Sequence, residues 1–255
     1  MSGLLNHPGL IFLLSLVTLT LFAQLGAGVI GRHMDHGKEA REDFDIVLAA
    51  SLTLLGLIIG FAFAMSVSRY EQRKNYEEEE ANAIGTEYVR AGLLASAPET
   101  EKVRALLRGY LDQRILFYRS RDTGELLKIN ARTAQLQTQL WSAIETAVHE
   151  GQPSPILALV VSGMNDALNS QSYTQAAWWN RIPPAAWVLL GVIAILCNVL
   201  IGVRASELKE RQGLLAILPA ILSVAFLLIA DIDSPRGGYI HVRPLNLMSL
   251  AASLR

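Results

Sequence analysis

Three groups of residues in this 255-residue chain have types and spacing that could do chemistry. His33, Asp35 and His36 could contribute to a metal site. Metal centres of the zinc type need three or four converging ligands. This trio supplies only part of such a set, so no metal is expected. Glu77–Glu80 could place negative charge around a pore or hold Ca²⁺. Consecutive residues point to all sides of a helix, so the run cannot converge on one ion, and a solvated helix surface is expected. Asp231 and Asp233 follow an apolar run, as the opening residues of an EF-hand loop or an aspartate-nucleophile phosphatase could. Pro235 and Val242 fall where an EF-hand needs ligands. Only 22 residues follow Asp233, too few for the phosphatase domain. The plainer reading is a pair of polar groups at the end of a membrane span. The chain has no glycine-rich phosphate loop, HExxH or GxSxG. No catalytic residue, cofactor or enzyme activity is expected.

A fourth group could guide ions without any bond-making. Thr53, Leu57 and Phe61 lie four apart and share one face of a helix. Gly56, Gly60 and Ala64 form a second face of small residues that permits close helix packing. A helix with one smooth and one bulky face suits a ring of identical helices. The smooth face would meet the neighbour, and the bulky face would line a hydrophobic constriction. The competing reading is a helix buried in a monomeric bundle, with its phenylalanines in the core or in lipid.

The elements that position these residues are read from charge. Apolar residues make up 51% of the chain and charged residues 18%, against about 25% charged in a soluble domain. Met1–Gly31, Ile46–Ser68, Ile182–Val203 and Gln212–Ala230 contain no Asp, Glu, Lys or Arg. About 20 apolar residues in a helix cross the hydrocarbon core, so four spans are expected. The first lacks the basic start and short apolar core of a signal peptide. Net charge is −1, which implies no nucleic-acid partner. The lone cysteine, Cys197, lies inside a span and reads as packing.

Lys and Arg placement sets orientation. Arg69–Arg181 holds thirteen of the 22 Lys and Arg residues. The middle segment and both termini are therefore expected in the cytoplasm. The expected organisation is residues 1–68 as spans one and two with a short acidic outer loop, 69–181 as a cytoplasmic helical region, 182–230 as spans three and four, and 231–255 as a tail docked on the membrane or the cytoplasmic body. Span two starts near Ile46 and meets no proline before Pro98, so its helix should run on into the cytoplasm. Helices are expected over about 103–118, 131–150 and 154–177. Arg69 and Arg181, with Asp231 and Asp233, mark span ends. Trp178, Trp179 and Trp187 read as interfacial anchors. Gln24 and Asn198, inside spans, are expected to bond between helices.

The pieces Gly60-Phe61, Ser68-Arg69-Tyr70-Glu71, Glu80-Ala81-Asn82-Ala83-Ile84-Gly85-Thr86, Arg181-Ile182-Pro183-Pro184-Ala185-Ala186-Trp187 and Leu228-Ile229-Ala230-Asp231-Ile232-Asp233-Ser234-Pro235-Arg236-Gly237 together resemble the bestrophin-like family of bacterial and plant membrane proteins. More distantly, the order of elements resembles the bestrophin ion channels. That resemblance implies an all-α, bestrophin-like membrane protein with four transmembrane helices and a central cytoplasmic helical region. It implies a homo-oligomer, a pentamer, in a bacterial inner membrane. It implies a neck of Thr53, Leu57 and Phe61, and chloride or other small anions as permeant ions. The acidic outer loop would instead concentrate cations. No counterpart of the bestrophin acidic calcium clasp is visible.

The leading expectation is thus an ion channel, with itself, lipid and small ions as partners. The alternative is a non-conducting membrane scaffold whose cytoplasmic helices bind a partner protein. A transporter would call for charged groups deep in the spans and an internal repeat, and neither is clear.

Overall fold

A computed structural model describes residues 7–31, 38–150, 154–206 and 214–254. Its elements are α1 (Pro8–Leu25), extended by a π-helical turn over Gly26–Ile30, then α2 (Lys38–Arg90), α3 (Ala97–Arg119), α4 (Thr123–Glu150), α5 (Pro155–Trp179), α6 (Pro184–Ser206), α7 (Leu214–Asp233) and α8 (Leu245–Ser253). No strand occurs among the described residues. The chain divides into two compact units, residues 1–70 with 181–241 and residues 71–180 with 242–255.

Four helices among the described residues are long and apolar enough to cross a membrane. Their apolar stretches belong to α1, α2, α6 and α7, as the charge-free runs require. In the first unit they bury a shared core. Leu55 and Ala62 of α2 meet Leu190, Ala194 and Cys197 of α6 and Leu222, Phe226 and Ile229 of α7, with Ile11 and Leu19 of α1. Trp187 and Phe226 meet edge to face, centroids 6.4 Å apart, an arrangement aromatic quadrupoles favour.

The approach of α1 to α6 depends on two glycines. A Cβ on Gly26 would overlap the Val199 carbonyl, and one on Gly202 would overlap the Ala23 carbonyl. Small residues let helix backbones approach closely where hydrophobic burial gives little drive between helices. Asn198 is buried one turn before Gly202, and its amide donates to Ala194 O at 2.8 Å. The bond stays within α6, so the expected interhelical bond at Asn198 is corrected. Gln24 is exposed.

The second unit is a helical body. In α3, Val103, Leu107, Tyr110, Leu111 and Ile115 are buried, the 3–4 residue period expected from the sequence. Ser96 caps α3 by accepting from the Glu99 amide at 3.4 Å. Helix α4 starts at Thr123, eight residues before the expected position. The reason is Asp122, whose carboxylate accepts from the Glu125 amide at 2.7 Å and so caps the helix despite Gly124. Ser154 does the same for α5, accepting from Leu157 at 3.1 Å. The start of α2 also differs. It is helical from Lys38, so the expected loop over Gly31–Asp45 is shortened.

A candidate pore-lining helix and its supports

Within the first unit, α2 is apolar on both its inner and its outer half. The inner half holds buried Leu55, Ala62 and Ser66, flanked by partly buried Leu52, Ile58 and Ile59. Ser66 hides its hydroxyl by donating to Ala62 O at 2.9 Å. The outer half is uncovered. Phe61 is 62% exposed and Leu57 54%. Thr53, Gly56, Gly60 and Ala64 are exposed as well. A Cβ added to Gly56 or Gly60 would meet nothing within 4 Å. Thr53 satisfies its own hydroxyl by donating to Ala49 O at 2.8 Å. Both faces singled out from spacing therefore lie side by side on the half of α2 that its own chain leaves bare.

The span-end residues form the support. Asp233 is buried at the end of α7, and both its oxygens accept from the Ile182 amide, at 3.1 and 3.3 Å. Ile182 precedes Pro183-Pro184, which have no N–H to offer. Asp233 thus supplies charge and acceptor where α6 begins. Arg69, at the end of the apolar part of α2, lies 3.8 Å from the same carboxylate. Arg181 sits half-buried beside Ile182. Asp231 has a different task. It accepts from the Tyr239 and Ile240 amides, each at 2.8 Å, and so folds the chain back on itself. Gly238 is needed in that turn, because a Cβ there would come within 2.6 Å of Asp231 O. Both aspartates accept from backbone amides. At the opposite end of the spans, Asp45 and Arg204 make an exposed ion pair at 2.9 Å, of the kind that contributes about 0–1 kcal/mol.

In the second unit α2 presents a buried charged stripe that the sequence reading missed. Arg73, Glu77, Glu80 and Glu87 are buried, together with Ile84 and Ala91. Glu78 and Glu79 are exposed. The expectation of a solvated Glu77–Glu80 run is therefore correct for the middle pair and wrong for the outer pair. Glu80 forms an ion pair with Arg114 of α3 and accepts from Tyr118 at 3.2 Å and Thr174 at 3.1 Å. Burial pushes the Tyr118 hydroxyl well above its usual range, helped by the nearby Glu80 charge, so it remains a donor. Arg114 also lies over the Phe117 ring, 4.4 Å from its centroid. Phe117, Tyr118 and Trp178 form an aromatic cluster with centroids 5.1–5.6 Å apart.

Glu77 holds the C-terminal helix. It accepts from the Leu247 amide at 3.0 Å and the Asn246 side chain at 2.7 Å. Pro244, at the start of α8, makes no side-chain cap of its own, and Glu77 fills that role. The tail residues 245–253 thus dock on the helical body. The signal for this stripe was present as the spacing 73, 77, 80, 84, 87, 91. Its polar character hid it, because a stripe of carboxylates reads as solvent-facing unless partners are known. No group of three or more metal-ligating side chains occurs among the described residues. His33, Asp35 and His36 lie outside the described residues.

Four crossing helices and a separate helical body define an integral membrane protein of all-α, bestrophin-like fold. The chain belongs to the family of the Bestrophin-like domain, whose model matches residues 16–247. The fold is similar to that of a variant of a bacterial bestrophin homologue from Klebsiella pneumoniae, with TM-score 0.65 and 13% identity, covering 95% of this chain and 97% of that one. A second structure of a Klebsiella pneumoniae bestrophin homologue gives TM-score 0.62 and 15% identity over 96% and 94% of the two chains. No curated protein matches.

Proposed function

We propose that the chain assembles as a homo-oligomeric ion channel, a pentamer, with one α2 from each copy around the pore. Thr53, Leu57 and Phe61 form a hydrophobic neck that opens by wetting. Gly56, Gly60 and Ala64 seat the adjacent copy. The observation that carries this reading is the bare outer half of α2, with exposed Phe61 and Leu57 beside two glycines that face open space. A lipid-facing surface gains nothing from glycines four apart, whereas a neighbouring helix can approach them closely. Membership of the bestrophin-like family and the fold it shares with bacterial bestrophin homologues support the same reading. The excess of Lys and Arg in residues 69–181 supports a helical body and both termini in the cytoplasm, with the spans in a bacterial inner membrane.

Charge on the same helix points to cations as the permeant ions, against the anions of the bestrophin analogy. Continuing the neck face along α2 at 3–4 residue steps gives Ser68, Glu71, Asn75, Glu79, Asn82 and Thr86, all exposed. That stripe has two carboxylates and no Lys or Arg. Repeated in each copy, they would form rings that concentrate cations and repel chloride. In reconstituted bilayers under a salt gradient, the reversal potential should lie near the cation equilibrium value. Glu79→Gln should move it toward zero. A reversal at the chloride value, indifferent to Glu79→Gln, would overturn the cation reading.

A further inference from the structure

The buried stripe of α2 carries three carboxylates, Glu77, Glu80 and Glu87. Glu77 caps α8 and Glu80 pairs with Arg114. Glu87 is fully buried, and neither of its oxygens has a hydrogen-bond partner. It lies against Gly163 of α5, where an added Cβ would overlap the carboxylate and approach the Arg90 guanidinium at 2.6 Å. Gly163 thus lets α5 close directly over the acid. Two charged groups act on it, Arg90 from its own helix and Asp166 from α5. On α3, Arg104 and Arg108 are held at Tyr88, donating to its carbonyl at 3.3 Å and its hydroxyl at 2.8 Å.

Burial without hydrogen-bond partners disfavours an ionised carboxylate, and such a group keeps its proton instead. Burial is the largest influence on Glu87. Arg90 opposes it and Asp166 adds to it, and the acid is pushed up to about 8. We propose that Glu87 is a proton-operated latch: protonated, it is sealed between α2 and α5 at Gly163, and losing the proton parts the two helices there.

The sign follows from linkage. The closed form holds the proton up to about pH 8, whereas an open, solvated Glu loses it near pH 4.3. Between those values the open form binds fewer protons, so the closed form loses ground as pH rises. From pH 7 to pH 9 the opening equilibrium should rise about tenfold. The latch lies within the helical body and would operate whether or not the chain conducts.

Amide hydrogen exchange on the full detergent-solubilised chain tests it, with rates corrected for intrinsic pH dependence. Protection of residues 159–168 should fall about tenfold between pH 7 and pH 9. Glu87→Gln should remove that fall. Asp166→Asn, which withdraws a neighbouring negative charge, should move it to lower pH, and this arm decides the matter if Glu87→Gln does not fold. Protection independent of pH, a tenfold fall that survives in Glu87→Gln, or a transition unmoved in Asp166→Asn would overturn the latch.

Discussion

Glu80→Ala should destabilise the helical body by about 3–5 kcal/mol, the penalty for leaving a buried charge without its counter-ion. Arg114 and Glu80 both have 0% of their side chains exposed. Removing the carboxylate strands the Arg114 guanidinium and also unpairs the hydroxyls of Tyr118 and Thr174. Each stranded hydroxyl adds roughly 1–3 kcal/mol unless water enters. Glu80→Gln keeps an acceptor for the hydroxyls and should fall between Ala and the natural residue. The double change Glu80→Leu with Arg114→Met removes both charges together and should recover much of the loss, because a buried pair often does no better than apolar residues of similar volume. Exchange protection of α3 and α5 in the full chain, with denaturant titration, gives the values. A Glu80→Ala loss under about 1 kcal/mol would mean that the pair is solvated.

The second large effect concerns conduction. Phe61→Ala should raise current through reconstituted protein by about tenfold, equivalent to lowering a barrier by ~1.4 kcal/mol. Phe61 is 62% exposed in the chain, so the change removes little of the chain's own core and leaves the fold intact. Its neighbour Ala62 is the contrast, at 5% exposure on the inner half. Ala62→Phe should overpack the helix bundle and cost typically 1–3 kcal/mol without widening the neck. Equal currents for Phe61→Ala and the natural chain would favour the scaffold reading, in which the centre is sealed.

The spans and the unbroken length of α2 were legible because both depend on local rules. A charge-free run of about 20 residues has few alternatives to a membrane, and a stretch with no proline before Pro98 and no glycine between Gly60 and Gly85 has little to stop its helix. The early start of α2 at Lys38 was not legible, because the charged residues between Gly31 and Asp45 read as loop. The early start of α4 was hidden by Gly124, whose helix-breaking tendency loses to the Asp122 cap.

The site was legible in part, for a related reason. The two faces of span two followed from spacing within one helix. Glu77 and Glu80 did not, because their burial is set by α3, α5 and α8, which lie 34 to 170 residues away in sequence. Asp233 falls between these cases. Two consecutive prolines at the start of α6 remove two donors from that end, and the distant carboxylate that takes up the Ile182 amide before them could not be named from the sequence.

In the proposed assembly, copies of α2 meet around a common axis through the half that each chain leaves bare. The mass of the detergent-solubilised complex tests it most directly. Five chains per complex is the predicted result, and Gly60→Leu, which adds bulk where the chain itself has open space, should shift the population toward smaller species. A stable monomer, unaffected by Gly60→Leu, would leave no ring of helices and would rule out this assembly.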